Sequence, residues 1–553
     1  MKVSAPELKR QAVRRVGACI AAGGLLLAAC GGGGTSPLGL NSIGGSIHGL
    51  ASDGLIVSNG TDRRSVSANA IAFTLPTSLA EGSAYAVTIT TQPLGERCTV
   101  ADGSGAVGTA PVTSITITCS PLQWSWVGGG TGVDTPALYG TLSVADAANQ
   151  PGGRRDAVTW TDASGDLWLF GGEGGFSGGN GYPNDLWKYS PASAQWTWVA
   201  GGAGAATPGV YGTRGIAAAS SVPGGRHWSS GWTDGSGRLW LFGGIGYDAA
   251  GAWGLLNDLW SFDPASGRWT WWTGSTSTYA LSIHGAAGVG DLANTPGARD
   301  NSLAWLDNSG NVWLYGGFGD EPTGQARGAL DELWMYSPAS GEWTWQAGSA
   351  QPNTLATYGT QDTASPNNSP GGRYSGTAWR DATGTFWLFG GFSYYGLLND
   401  LWMLNPSTLT WTWVSGSNQP SAANSYGTLG VAAASNAPGA RSQPLAWSDS
   451  NGDLWLFGGY GYDATFVLEK YNDLWVFRPS LGRWSWIAGD ATPNSGGIYG
   501  TMGTTATGNS PGARLGAAGW RDTSGRLWVY GGGGYATGTT QGYLGDLWRF
   551  GTP

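Results

Sequence analysis

The sequence predicts an all-β fold in which six repeated four-stranded units form a β-propeller behind a small β-sandwich. A stretch from Pro151 to Trp198 contains four short apolar runs separated by turns, and it recurs with a spacing of 68–74 residues. The repeats start at Pro151, Pro223, Pro296, Pro370, Pro438 and Pro511. The chain has 98 Gly and 33 Trp, and because the Trp recur at fixed positions, the Gly are expected in the turns of an ordered structure.

The N-terminus predicts a targeting signal. A basic segment precedes the apolar stretch Val16–Leu27, which is too short to span a bilayer stably. The order Leu27-Ala28-Ala29-Cys30 resembles the lipobox of bacterial lipoproteins, with an ordinary signal peptide and a chance Cys as the alternative. The resemblance implies a signal peptide over residues 1–29, lipid on Cys30, and membrane contact through this anchor only. Gly31, where Asp would retain the protein, implies the outer membrane of a Gram-negative bacterium, on its periplasmic or cell-surface face.

Residues 30–40 form a Gly-rich lipidated tether, and residues 41–120 predict a β-sandwich. Alternating apolar runs separated by turn residues are typical of a small antiparallel sandwich. It resembles the immunoglobulin-like or prealbumin-like spacers of secreted bacterial proteins, with an independent binding module as the alternative. Cys98 and Cys119 are the two cysteines that remain after Cys19 and Cys30 are assigned, and they are expected to form a disulfide in an oxidising compartment.

Residues 121–553 carry the repeats, each with four expected strands. In the first repeat strand a ends at Trp160, strand b at Phe170, strand c at Tyr189 and strand d at Trp198. Short Gly turns join strands a and b, which is typical of β-hairpins, and four antiparallel strands per unit predict a propeller blade. The last repeat lacks strand d, whereas residues 123–127 form a strand without a repeat of its own. This strand is expected to close the last blade.

The repeats resemble kelch repeats. The matching residues are a Gly pair after strand b, a Trp in strand c and the Trp-x-Trp of strand d, as in Gly171-Gly172, Trp187 and Trp196. The resemblance implies a six-bladed kelch-type propeller, similar to the central domain of galactose oxidase. The period exceeds the roughly 50 residues of kelch blades, and the surplus contains a recurring Tyr-Gly-Thr element whose role the sequence leaves open.

Residues that all repeats share are expected to be structural. Five Trp positions per repeat account for thirty of the 33 Trp, and they predict a core between blades. The Arg of each Pro-Gly-(Gly/Ala)-Arg motif and an acidic residue before strand c predict buried charge pairs, as in Arg154 and Asp185, with a charged ring for ligands as the alternative. Three Trp fall outside the pattern, all in the second repeat: Trp228, Trp253 and Trp272.

Residues that differ between repeats are expected to carry function. The pair after each repeated Arg varies, and the kelch resemblance places it at one mouth of the central channel, beside the variable loops between strands b and c. The mixture of aromatic rings and planar polar groups suits a sugar or an extended peptide. The candidate ligand-binding residues are Arg155, Asp156, Glu173, His227, Trp228, Trp253, Asp300, Asn301, Tyr374, Ser375 and Gln443.

The sequence argues against the copper chemistry of galactose oxidase. That family needs two His, two Tyr and a Cys–Tyr cross-link, but this chain has three His, and residues 121–553 contain no Cys. No catalytic residue, metal ligand or cofactor site is predicted. An enzyme of the sugar epimerase or mutarotase type, using Arg155, Glu173 and His227 at the mouth, is the alternative.

The charge balance excludes nucleic acid as a partner. The chain carries 27 basic and 36 acidic residues, and loss of the basic N-terminus would make it more acidic. We therefore predict an envelope-anchored, monomeric and non-catalytic module that binds a glycan or a protein partner through the mouth.

Overall fold

The computed structural model describes residues 39–176 and 179–552, so the predicted signal peptide and Cys30 lie outside the described residues. Every regular element in this part of the chain is a β-strand, and the all-β prediction is confirmed. No helix among those residues is long and apolar enough to cross a membrane.

The N-terminal region consists mainly of two four-stranded sheets. One contains Ala72–Thr74, Ile43–His48, Val112–Pro121 and Glu96–Ala101, and the other contains Asp62–Val66, Leu55–Asn59, Ala84–Thr91 and Ser104–Ala106. The short strands Leu40–Asn41 and Leu79–Ala80 pair separately. A single apolar cluster draws on both sheets, because alternate residues of each strand point to the same side.

Two features of this region bear on the sequence predictions. Cys98 and Cys119 lie opposite each other in adjacent antiparallel strands and form the predicted disulfide. The expectation of a purely antiparallel arrangement was wrong for one pair, since Val112–Pro121 runs parallel to Ile43–His48. Parallel neighbours must come from segments distant in the chain, and the local alternation pattern carries no information about direction.

Six main sheets follow, one for each repeat and each with strands a to d, and two small three-stranded sheets accompany the first and third of them. Strand a spans Val158–Thr161, Ser230–Thr233, Leu303–Leu306, Thr377–Arg380, Leu445–Ser448 and Ala518–Arg521. Strand b spans Leu167–Phe170, Leu239–Tyr247, Val312–Tyr315, Phe386–Ser393, Leu454–Tyr462 and Leu527–Tyr535. Strand c spans Leu186–Ser190, Trp253–Asp263, Leu333–Ser337, Gly396–Asn405, Leu468–Arg478 and Gln541–Gly551. Strand d spans Gln195–Ala200, Arg268–Thr273, Glu342–Ala347, Thr410–Ser415, Arg483–Ala488 and, for the last sheet, Gln123–Gly128.

The last sheet joins the two ends of the repeat region. Gln123–Gly128 pairs antiparallel with Gln541–Gly551, with Trp124 opposite Phe550 and Trp126 opposite Trp548. The sheet therefore takes its outer strand from the start of this region and its other strands from the end. Short strands near the b–c loops and along the outer edges complete the set: Ala145–Asp146, Arg154–Arg155, Glu173–Phe176, Gly179–Gly181, Arg226–His227, Gly290–Asp291, Arg299–Asp300, Phe318–Asp320, Arg327–Ala329, Arg441–Ser442 and Arg514–Leu515.

The first Gly of each Gly pair marks a close approach between successive sheets. Gly171 has φ 65°, and a Cβ placed there would lie 2.5 Å from the carbonyl oxygen of Arg226 in the next repeat. The equivalent Gly of the other five repeats meet the next Arg carbonyl at 2.5–2.9 Å in the same way, and Gly531 of the last repeat meets Arg154 of the first. Both the left-handed backbone and the lack of space exclude a side chain at these positions.

Beneath each Gly pair lies a buried polar cluster. In the second repeat the Arg226 guanidinium contacts both carboxylate oxygens of Asp258 at 2.6 and 2.8 Å, and that carboxylate also accepts from the Tyr211 hydroxyl and the Trp260 indole. The same arrangement recurs in the other five repeats, with His284 and Glu332 replacing the Tyr and Asp of the third. The acidic partners are at most 1% exposed, so these Arg–carboxylate pairs are structural, with their charges compensated by several donors.

The Tyr of the Tyr-Gly-Thr element explains part of the extra length of the repeats. The Tyr211 ring packs against Trp271, the second Trp of strand d, at 5.3 Å, and its hydroxyl completes the polar cluster. The following residues lie along strand d, where the Gly215 N–H donates to the Trp271 carbonyl. In each of the other five repeats an equivalent N–H donates to the carbonyl oxygen of the corresponding Trp. The element thus covers the outer strand, whose unpaired backbone groups would otherwise invite pairing with other chains.

Candidate functional site

The variable pairs lie together, at the end of strands a and b opposite the a–b turns. The second residue of every pair has a left-handed backbone, with φ between 52° and 59°. The N–H of each donates to the carbonyl oxygen of its counterpart in the preceding repeat, at 2.6–3.3 Å. The six hydrogen bonds form a closed cycle through Asp156, Trp228, Asn301, Ser375, Gln443 and Gly516.

The left-handed conformation has a different cost at each position of this cycle. Gly, Asn and Asp adopt it readily, whereas a bulky residue such as Trp does so at a cost of about 1–3 kcal/mol. Trp228, with φ 58°, is therefore the most strained member. Because Trp228 keeps a strained backbone at a position where Gly, Asn or Asp would not be strained, its side chain is a candidate for a functional role.

Trp228 lines an aromatic pocket of about 400 Å³. Five other predicted residues line the same pocket: Asp300, Asn301, Tyr374, Ser375 and Gln443. The remaining walls come from residues that sequence analysis did not select: Ile245, Leu255, Tyr279, Phe318, Arg327 and Phe392. Tyr374 stacks on Phe392 at 5.5 Å and meets the edge of Phe318 at 5.3 Å, which fixes its ring.

The other predicted residues form a polar cluster beside this pocket. Arg155 donates from Nε and Nη2 to one oxygen of Glu173, at 3.0 and 2.7 Å, and Tyr543 donates to the other at 2.7 Å. His227 Nδ1 lies 3.9 Å from the oxygen that Arg155 contacts. Asp156 accepts a hydrogen bond from Gln443 Nε2 at 3.0 Å, across 287 residues of sequence.

Burial sets the protonation of this cluster. It raises the pKa of Asp156 to about 7 and lowers the pKa of His227 to about 4, so His227 is neutral at physiological pH. Burial also raises the pKa of Glu173, but the hydrogen bond from Tyr543 and the charge of Arg155 outweigh it, and the net direction is down. Burial raises the pKa of Asp300, in the aromatic pocket, to about 7.

Asp156, Glu173 and His227 could together hold a cation. Their potential ligand atoms lie within 4.8 Å of one another, and all three residues are buried. The Arg155 guanidinium lies on this group, 2.7 Å from Glu173 and 3.5 Å from the Asp156 carboxylate. A metal ion would therefore compete with a cation that the chain itself supplies.

The remaining unusual Trp have different surroundings. Trp253 packs on Tyr182 at 4.2 Å and on Tyr247 at 4.9 Å, behind His227 rather than in the aromatic pocket. Trp272 stacks on Trp240 at 5.4 Å and donates to Ser261, so it belongs to the core. Of the three Trp outside the repeat pattern, only Trp228 lines the pocket.

A second pocket of about 480 Å³ adjoins the first and shares Phe392 and Gln443 with it. Arg155 and Ser442 line it, together with Tyr460, Lys470 and Tyr543. Sequence analysis missed Lys470 and Tyr543, although Lys470 is one of only two lysines after residue 29. The rarity of lysine after residue 29 is the sequence feature that could have identified Lys470. We call the two pockets together the mouth.

The N-terminal region packs at the other end of the repeat strands. Arg478 donates to the Gln92 carbonyl, and Leu94 is buried against Trp124 and Trp455. A groove of about 720 Å³ lies between this region and the a–b turns of the fifth and sixth repeats. The N-terminal region therefore leaves the mouth uncovered.

Comparison with known proteins yields no family assignment. No protein-family model matches the chain, and no curated protein matches it significantly.

Proposed function

We propose that the chain is an envelope-anchored, monomeric carbohydrate-binding protein whose mouth holds a saccharide without transforming it. In this proposal residues 121–553 form a six-bladed kelch-type β-propeller, residues 41–120 form a β-sandwich spacer, and lipid on Cys30 anchors the chain to the outer membrane. The architecture is supported by the pairing of Gln123–Gly128 with the last strand c and by the hydrogen-bond cycle that links all six repeats.

The aromatic pocket is the observation that carries the proposed ligand class. Sugars present flat patches of C–H groups that pack on aromatic faces and a periphery of hydroxyls that need directed hydrogen bonds. Trp228, Tyr374 and Phe392 supply ring surfaces, while Asn301 and Gln443 supply planar amides. The volume of about 400 Å³ lies within the range of small-ligand sites, which are largely apolar with a few placed polar groups.

The mouth also has the stiffness that such a site needs. Its backbone is held by the hydrogen-bond cycle, so ordering it costs little on binding. The strained backbone of Trp228 is consistent with selection for its ring rather than for stability.

The test is a glycan array followed by calorimetry with the saccharide retained. Trp228→Asn removes the ring but keeps a residue that tolerates the left-handed backbone. We expect it to weaken binding at least about tenfold, a loss of roughly 1.4 kcal/mol, with a melting temperature within about 2 °C of wild type, since relief of strain offsets lost packing. Trp272→Phe, in the same repeat but in the core, is the control and should retain binding. An array that retains no glycan, or unchanged affinity in Trp228→Asn, would contradict the proposal.

A sugar epimerase or mutarotase is the second candidate, favoured by the polar cluster. A buried carboxyl with a pKa near 7 is suited to exchange protons at neutral pH, and one oxygen of Asp156 has no hydrogen-bond partner among the described residues. Exchange between anomers, followed by NMR on free sugars, distinguishes the two candidates. Acceleration that disappears in Asp156→Asn would establish catalysis and replace the binding proposal.

A further inference from the structure

The second pocket has an uncompensated positive charge. Arg155 and Lys470 both line it, and no Asp or Glu is among its described lining residues. Arg155 is paired with Glu173, but Lys470 has no ion pair within the described part of the chain. The other lysine of that part, Lys188, has a partner, because its ammonium lies 2.9 Å from Asp166.

The surroundings of Lys470 hold its ammonium at the pocket. It is half-buried, and its Nζ lies 5.4 Å from the ring centre of Tyr535 and 6.0 Å from that of Tyr460. The neighbouring Glu469 carboxylate accepts a hydrogen bond from Asn494 instead. Burial lowers the pKa of Lys470, and the charge of Arg155 lowers it further while that of Glu469 opposes the change. An anion bound in the pocket would offset the cost of burying the Lys470 ammonium and the repulsion between Lys470 and Arg155.

The position of this charge relative to the aromatic pocket constrains the ligand. Phe392 and Gln443 form a wall common to both pockets, so one ligand can occupy them together. A ligand with a ring on the aromatic side would place its neighbouring unit, or a substituent of the same ring, beside Lys470. A lysine without an ion pair among the described residues matches a single negative charge.

We propose that the mouth is specific for acidic saccharides, with Lys470 receiving the carboxylate of a uronic acid unit and Arg155 as the second cation that lines that pocket. This inference rests on the proposed function, since it names the class of saccharide bound at the same mouth. Glu173 keeps Arg155 in place through two hydrogen bonds, and Lys470 is the residue that distinguishes an acidic from a neutral sugar.

The experiment uses matched saccharides. Oligomers of galacturonate, glucuronate and mannuronate are compared by calorimetry with the same oligomers after reduction of their carboxyl groups, which leaves neutral sugars of the same linkage. We expect at least one acidic oligomer to bind wild-type protein about tenfold more tightly than its reduced counterpart. Lys470→Gln should abolish this preference but retain the affinity for the reduced oligomer, because the aromatic pocket is intact. Lys188→Gln is the matched control and should retain the preference.

The possible failures are distinguishable. If wild-type protein binds reduced oligomers as tightly as acidic ones, or if Lys470→Gln keeps the preference, the inference is wrong while carbohydrate binding stands. Tighter binding of a sulfated sugar than of every uronate would also overturn the carboxylate assignment. If no saccharide of this set or of the array binds, both proposals fail. Melting temperatures of the two Lys variants confirm that the fold is unchanged.

Discussion

Arg154 and Arg155 are adjacent in sequence, and both pair with a carboxylate, yet their surroundings differ in every other respect. Arg154 is 3% exposed, its partner Asp185 is fully buried, and the cluster recurs in all six repeats with further donors on the carboxylate. The Arg155 side chain is 28% exposed, and its contact with Glu173 occurs once, at the mouth. A charge pair that recurs in all six repeats, with its carboxylate bound by several donors, is structural. A pair that occurs once and is partly exposed indicates a candidate functional site.

The first test removes the outer strand of the last sheet, which pairs the start of the repeat region with its end. Deletion of residues 121–128 removes the partner of Gln541–Gly551 and exposes the core around Trp548 and Phe550. We expect the largest loss of stability here, with the melting temperature of the whole repeat region falling by more than 10 °C. Differential scanning calorimetry measures it. A variant that melts like the parent would show that this strand does not close the repeat region.

The second test breaks one pair of each kind. Asp258→Asn leaves the fully buried Arg226 guanidinium without a counter-charge, and we expect a loss of about 3–5 kcal/mol in the free energy of unfolding. Glu173→Gln leaves Arg155 partly exposed and still 3.5 Å from the Asp156 carboxylate, and we expect a smaller loss of about 1–2 kcal/mol. Urea unfolding compares the two variants. Equal losses would remove the distinction between structural and mouth pairs.

A double variant serves as the control for this test. Arg226→Met with Asp258→Leu removes both charges, and it should be less destabilising than Asp258→Asn alone because no unpaired buried charge remains.

The smallest effect concerns the pH dependence of stability. Burial raises the pKa of Asp300 from its ordinary 3.8 to about 7. The folded state thus holds this proton more tightly than the unfolded state, and the resulting stability is complete below pH 3.8 and lost as the pH rises through 7. Relative to Asp300→Asn, wild-type protein should lose roughly 2 kcal/mol of stability between pH 5 and pH 8.

Urea unfolding at pH 5, 6, 7 and 8 measures this difference. Asp156, whose pKa is also about 7, adds to the slope, and His227, whose pKa is lowered to about 4, opposes it below pH 6.5. The contribution of His227 is the same in both proteins and cancels. The Asp300 charge also raises the pKa of Asp156, so the comparison measures Asp300 together with its effect on Asp156. Parallel pH profiles would show that Asp300 titrates normally.

Much of the fold could be predicted from sequence because its causes are local and repeated. The Trp-x-Trp alternation and the Gly turns each reflect a short-range requirement, and the six repeats show each of them six times. The Cys98–Cys119 disulfide was predictable because these two cysteines remained after Cys19 and Cys30 were assigned. The Tyr-Gly-Thr element could not be interpreted, because its role depends on contacts with an acidic residue 42–48 positions later and with the outer strand.

The mouth was only partly predictable. Variation between repeats selected Trp228, Asn301, Tyr374 and Gln443, and the structure brings them together at one pocket. It could not select Tyr543, which reaches Glu173 across 370 residues. Phe318 and Phe392 were missed although they occupy the position directly after the Gly pair, where Glu173 was selected in the first repeat. Tyr279 lies in a segment between repeats whose length varies, so no aligned position reveals it.

The cycle of hydrogen bonds at the mouth determines how freely the residues at its six positions can vary. Each of the six links uses only backbone atoms, and one side-chain hydrogen bond, from Gln443 to Asp156, joins two members of the cycle in addition. Substitution at these six positions can therefore change the surface of the mouth while the backbone hydrogen bonds remain, at a cost that depends on how readily the new residue adopts a left-handed backbone. The repeat thus separates the residues that hold the fold from those that set the surface of the mouth.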